Sequence, residues 1–160
     1  MRRLPILLFI ISIFNCAFGQ NVDYVKYNKG QISFELPKHM KLKNMYEEPT
    51  PDSKNFEVIT GDANIIIELH SLISSRFGCE GIQDCYSDAL SRTKLNVTYK
   101  MKSNNYFVIS GFNKHNGNIV YWKRVVGEWY ISDLHIEYSP LKKNKIEPYI
   151  GQISKSFKSQ

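Results

Sequence analysis

Between residues 31 and 36 apolar side chains fall on every second position. Ile32, Phe34 and Leu36 alternate with Gln31, Ser33 and Glu35, the pattern of a strand with one wet face. Residues 23–27 supply its hairpin partner across Asn28-Lys29-Gly30, and Pro37 ends the pair. A short strand is expected over residues 40–43, followed by an exposed loop at 47–52 that its two prolines keep out of any sheet interior. Residues 55–60 and 64–72, joined at Gly61-Asp62, predict a second hairpin. It carries Ile65, Ile67 and Leu69 on one face and Ile66, Glu68 and His70 on the other.

The period then changes. Ile82, Cys85, Tyr86, Ala89 and Thr93 form one helical stripe over residues 82–94, with Asp84 or Asp88 near its positive N-terminal end. Four strands follow at 97–102, 106–112, 119–126 and 129–138, separated by Asn104-Asn105, Asn116-Gly117 and Gly127-Glu128, which reads as an antiparallel meander. Its middle strands are apolar on both faces, so helices must cover both sides. The second cover is a closing helix opened by Glu147-Pro148, with Pro148 at the first helical position and Ile146, Ile150, Ile153 and Phe157 at helical spacing. The expected fold is therefore α+β: one domain over residues 22–158, with a single antiparallel sheet of about six to eight strands covered by an internal and a C-terminal helix.

Ahead of this domain, Met1-Arg2-Arg3 and an apolar run over residues 4–14 read as the charged and hydrophobic regions of an export signal. Spanning a bilayer takes about 18–20 apolar residues, and this run stops at Asn15. Ala17 and Gly19 put small side chains where a signal peptidase needs them, so cleavage is expected between Gly19 and Gln20, making residues 1–19 a signal peptide. No transmembrane helix is expected after its removal, and the expected location is periplasmic or secreted. The competing reading is a lipoprotein anchored at Cys16, which would give peripheral attachment to the membrane.

Removal of residues 1–19 takes Arg2 and Arg3 and no acid, which lowers the net charge from +6 to +4. The lysines are scattered between Lys26 and Lys158, without the clustered stripe that a nucleic-acid binder presents, and no nucleic-acid partner is expected. The densest group, Lys142, Lys143 and Lys145, reads as the solvated approach to a helix, with weak attraction to anionic lipid as a minor alternative. Of three cysteines Cys16 leaves with the signal. Cys79 and Cys85 then form an isolated pair that reads as a disulfide in an oxidising compartment, worth roughly 2–3 kcal/mol for so small a loop. It would pin the Phe77-Gly78 loop to the helix.

Catalytic signals are sparse. His39 and His115 fall in turns, whereas His70 shares a strand face with Glu68 and His135 with Asp133 and Glu137. If those two strands are neighbours, a cluster forms that suits metal binding or general acid–base work. No Gly-x-Ser-x-Gly or phosphate-binding glycine loop occurs, and no cofactor is expected. The aromatics concentrate in the meander, where Tyr121, Trp122, Trp129 and Tyr130 are the candidate binding surface. Asn96-Val97-Thr98 matches a glycosylation acceptor that matters in a eukaryotic source.

The order of elements resembles the PsbP-like fold, an antiparallel sheet covered by helices. The resemblance rests on Ile32-Ser33-Phe34-Glu35-Leu36-Pro37, on the strand pair 106–111 and 119–126, and on Tyr138-Ser139-Pro140 leading into 150–157. It implies a non-enzymatic role, since that family includes extrinsic subunits that dock on membrane complexes and small protein-binding modules. The leading expectation is an exported accessory protein that binds a protein or envelope component. A periplasmic immunity-type inhibitor is one alternative, and a small envelope hydrolase or metal-dependent enzyme using His70 and His135 is another.

Overall fold

The computed structural model describes residues 22–45, 53–76 and 78–159. The signal with its Gly19–Gln20 junction, Cys16 and the 47–52 loop lie outside them. Strands β1 (Tyr24–Lys29) and β2 (Ile32–Pro37) form the first hairpin, turning at Gly30 with φ +66°, a left-handed conformation that glycine adopts without a Cβ penalty. The second sheet contains β3 (Lys41–Asn44), β4 (Ser53–Ile59), β5 (Ile65–Ile73), β6 (Leu95–Lys102), β7 (Tyr106–Asn113), β8 (Ile119–Val126) and β9 (Tyr130–Tyr138). Helix α1 (Gly81–Arg92) lies between β5 and β6, and α2 (Lys143–Ser156) leads into β10 (Lys158–Ser159).

The fold is α+β with antiparallel pairing throughout, as expected, but the strands divide into two sheets. One is β1-β2-β10 and the other β3-β4-β5-β9-β8-β7-β6. The expected single sheet fails because β2 has no edge left for the rest of the chain: β1 occupies one side and β10, arriving from the C-terminus, takes the other through Lys158 opposite Ser33. The first hairpin instead packs face-on. Ile32, Phe34 and Leu36 meet Ile67, Leu69, Leu134 and Ile136 of the large sheet and Ile146 and Ile153 of α2 in one buried core.

The other face of the large sheet carries a second core. Phe107, Ile109, Val120 and Ile131 pack there against Cys85 and Ala89 of α1, and Cys79 is bonded to Cys85. Each face is thus covered, one by α1 and the other by α2 with the small sheet, as the doubly apolar middle strands required.

The closing helix begins earlier than Glu147-Pro148. Ser139 accepts a hydrogen bond from the Leu141 N–H at the head of a 3-10 turn over Pro140–Lys142, and α2 continues directly from it. Pro148 therefore sits inside the helix, where it forfeits the single bond to the residue-144 carbonyl. The lysines at the head of this helix are also not simply solvated: Lys142 and Lys145 reach Asp62 in the β4–β5 turn at 3.1 and 2.9 Å. These contacts and the Asn64 N–H hold the Asp62 carboxyl well below the usual carboxylate range.

Between the sheets runs a chain of hydroxyls. Ser71 and Ser132 share a hydrogen bond at 2.9 Å, Ser132 and Ser159 another at 2.8 Å, and Ser159 donates to the Tyr130 carbonyl. At the far edge, a register shift between Val97 and Tyr99 presses β6 onto β7. A Cβ built on Gly111 would lie 2.2 Å from the Asn96 carbonyl oxygen. Backbone cannot move aside as a flexible side chain does, so Gly111→Ala should destabilise the protein by about 1–3 kcal/mol, read as a lower urea midpoint at unchanged slope.

Candidate functional site

Cross-strand register builds the site. In β5 and β9 Glu68 stands opposite His135 and His70 opposite Asp133, while β4 places Asn55 opposite His70 and β8 places Trp122 opposite His135 and Arg124 opposite Asp133. Side chains directly opposite one another lie close enough to interact, so the two expected histidine–carboxylate pairs become one cluster. It faces the α1 side of the sheet and lines an open groove of about 350 Å3 formed by Glu68, His70, Trp122, Asp133 and His135.

The acids have different roles. Arg124 holds Asp133 bidentately through Nε–Oδ1 and Nη2–Oδ2 bonds of 2.8 Å each, and Trp122 Nε1 donates to the same Oδ1 at 3.1 Å. Both charged side chains are nearly buried, 9% and 13% exposed, and the guanidinium also lies 4.9 Å from the Trp122 ring centroid. Glu137 turns away to accept amide hydrogen bonds from Asn113, Asn116 and Asn118. Burial pushes its carboxyl up, but these amides and His135 outweigh it and hold the group below its ordinary value.

Glu68 is left as the acid shared by both rings. Its Oε2 lies 3.5 Å from His70 Nε2 and 3.9 Å from His135 Nδ1. His70 Nδ1 is 2.7 Å from Asn55 Oδ1. An amide oxygen only accepts, so a hydrogen bond there places a ring proton on Nδ1, while Nε2 faces Glu68. His135 Nδ1 is buried without a hydrogen-bond partner among the described residues. Burial is the main influence lowering the His135 pKa; Glu68 and Glu137 pull it upward, His70 downward and Asp133 upward. The arrangement sets two imidazoles around one carboxylate at separations beyond a direct hydrogen bond. No group of three or more His, Cys, Asp and Glu side chains among the described residues is arranged to hold a metal ion.

The four candidate surface aromatics do not form one surface. Tyr121 and Trp122 are neighbours in a strand and point to opposite faces. Tyr121 shares a hydrogen bond with Ser154 of α2 at 2.6 Å, whereas Trp122 lies at the groove. Trp129 lies in the β8–β9 turn, 63% exposed, and Tyr130 begins β9. His39 packs edge-on against Tyr149, His115 remains in its turn, and Asn96 lies exposed on β6. The sequence reading passed over Lys123, Arg124 and Asn55. For the first two a signal was present, two adjacent cations inside the otherwise apolar strand Ile119–Val126.

An antiparallel sheet covered on one face by a helix and on the other by a C-terminal helix and a small sheet is a PsbP-like fold. The likeness to solved structures is one of fold. The solution structure of cyanobacterial PsbP (CyanoP) from Synechocystis sp. PCC 6803 superposes with a TM-score of 0.59 at 7% identity, covering 92% of this chain and 99% of that one. PA94 from Pseudomonas aeruginosa, a protein of unknown function, gives 0.51 at 9% identity over 86% and 97%. No family model and no curated protein matches the sequence. Among the described residues no helix is long and apolar enough to cross a membrane.

Two outcomes test the site's construction. Asp133→Asn leaves the Arg124 guanidinium buried without its carboxylate, so unfolding free energy should drop by about 3 kcal/mol. The depressed His135 pKa means that the folded chain binds fewer protons than the unfolded chain across the ordinary histidine range, so its contribution to stability falls as pH falls. Urea midpoints taken between about pH 7.5 and pH 5 should decline, and His135→Gln should flatten the curve. An unchanged slope in that variant would locate the titrating group elsewhere.

Proposed function

We propose that this protein is an exported, non-enzymatic accessory protein that binds a protein or an envelope component. The PsbP-like fold, matched over nearly the whole of both chains, carries this reading. The Cys79–Cys85 bond supports it, since such bonds persist in oxidising compartments. The signal pattern of residues 1–19 agrees.

A specific observation favours a second reading, a small envelope hydrolase that uses His70 and His135. Glu68 stands within 4 Å of both histidine rings in one solvent-open groove, just beyond direct hydrogen-bond reach, a spacing that cooperating acid–base groups close when substrate binds.

Cross-linking in the native cell separates the two. A tagged chain should yield a discrete cross-linked partner and an N-terminus at Gln20 by intact mass. The partner should be retained when His70 and His135 are both replaced by Ala. Recovery of bait alone in repeated captures, together with ester hydrolysis that each single histidine variant abolishes, would replace the binding role with the enzymatic one.

A further inference from the structure

Behind the opposite face of the large sheet, the last turn of α2, strand β2 and strand β10 enclose a notch of about 230 Å3. It is lined by Lys26, Ser33, Phe34, Glu35, Gln152, Lys155, Ser156 and Lys158. Drug-sized ligands occupy pockets of roughly 300–1,000 Å3, so this one suits a small group. Lysines from three separate elements line it. Register explains how: Lys26 in β1 lies opposite Glu35 and Lys158 in β10 lies opposite Ser33, while Lys155 descends from the helix.

None of the three lysines forms an ion pair among the described residues, although elsewhere in the protein Lys142, Lys143 and Lys145 all do. The single acid in the notch, Glu35, is turned toward the helix, where its Oε2 accepts from Gln152 Nε2 at 2.6 Å. The C-terminal end of a helix ordinarily repels anions through its free carbonyls. Here that end is neutralised from beneath: Lys123 Nζ donates to the carbonyls of Ser154 and Phe157 at 2.6 and 3.1 Å, and the Ile153 carbonyl accepts from Phe157 N and Ser156 Oγ.

We propose that the notch formed by Lys26, Lys155 and Lys158 is a binding site for a phosphate-type oxyanion, presented as a soluble phosphate or as a phospholipid headgroup. Compact ammonium groups act as point charges, without the planar fork by which arginine selects carboxylates, so a multiply charged oxyanion matches three of them better than a carboxylate does. The site is separate from the histidine groove and does not depend on the binding role proposed above; partner capture can fail while this site stands, and the reverse.

The test titrates the protein, purified as its own cell processes it, with inorganic phosphate by calorimetry at neutral pH and low salt. Saturable binding is expected. The triple variant Lys26→Gln, Lys155→Gln, Lys158→Gln should weaken it at least about tenfold, while Lys41→Gln, Lys100→Gln, Lys114→Gln, which removes equal charge from exposed lysines elsewhere, should leave it within about twofold. All six positions are exposed, and circular dichroism checks that both variants fold. Co-sedimentation with phosphatidylglycerol against phosphatidylcholine vesicles distinguishes the sources. Sedimentation that the notch variant loses assigns the anion to a headgroup, and phosphate binding without sedimentation assigns it to a soluble ester. Absence of saturation together with absence of vesicle binding, or equal weakening by both triple variants, overturns the proposal.

Discussion

Two adjacent cations at the centre of β8 constrain the rest of the molecule. Consecutive strand residues point to opposite faces, so Lys123 and Arg124 are driven into the two cores on either side of one sheet, and both are buried. A buried charge without a partner is among the costlier things a fold can contain. Each therefore dictates what must lie against it. Lys123 requires carbonyl oxygens and finds them at the end of α2, with the Tyr106 ring 4.9 Å away; burial, and the nearby Lys158, push its ammonium below its ordinary pKa. Arg124 requires a carboxylate and takes Asp133 from the neighbouring strand.

These two commitments set the chemistry on both faces. Because Arg124 and Trp122 absorb Asp133, and three asparagine amides hold Glu137, the acids nearest His135 along its own strand are structural. The acid left to face both histidines comes from the neighbouring strand. On the other side, Lys123 takes up the carbonyls at the end of α2, beside which Lys155 and Lys158 of the notch lie. The histidine groove and the lysine notch thus lie on opposite sides of the sheet, each beside one member of this dipeptide.

What the sequence made legible was local. Alternation in residues 64–72 and 129–138 placed Glu68 with His70 and Asp133 with His135 and Glu137 on shared faces, because period two is a property of the strand itself. That β5 and β9 are neighbours is not local: more than fifty residues and a helix separate them, and the pairing follows from a sheet order that single-strand patterns do not encode. Asn55 was invisible for the same reason, its role existing only through its cross-strand position. The division into two sheets depends on β10, two residues long and too short to carry any period. Pro148 misled because the start of α2 is set by Ser139 and its 3-10 turn, which override a proline's own preference for the first helical position.

Identity of 7% with CyanoP over almost the entire fold shows which constraints the architecture imposes and which it leaves open. A sheet apolar on both faces needs only hydrophobic side chains of suitable volume facing inward, and many sequences satisfy that demand. A buried lysine capping a helix end or a bidentate arginine–aspartate pair is far more exacting, since changing either partner alone strands a charge. The general pattern of burial therefore explains how this chain reaches a widely shared architecture. The charges fixed at its centre decide which acid faces the histidine groove on one side and hold the helix end beside the lysine notch on the other.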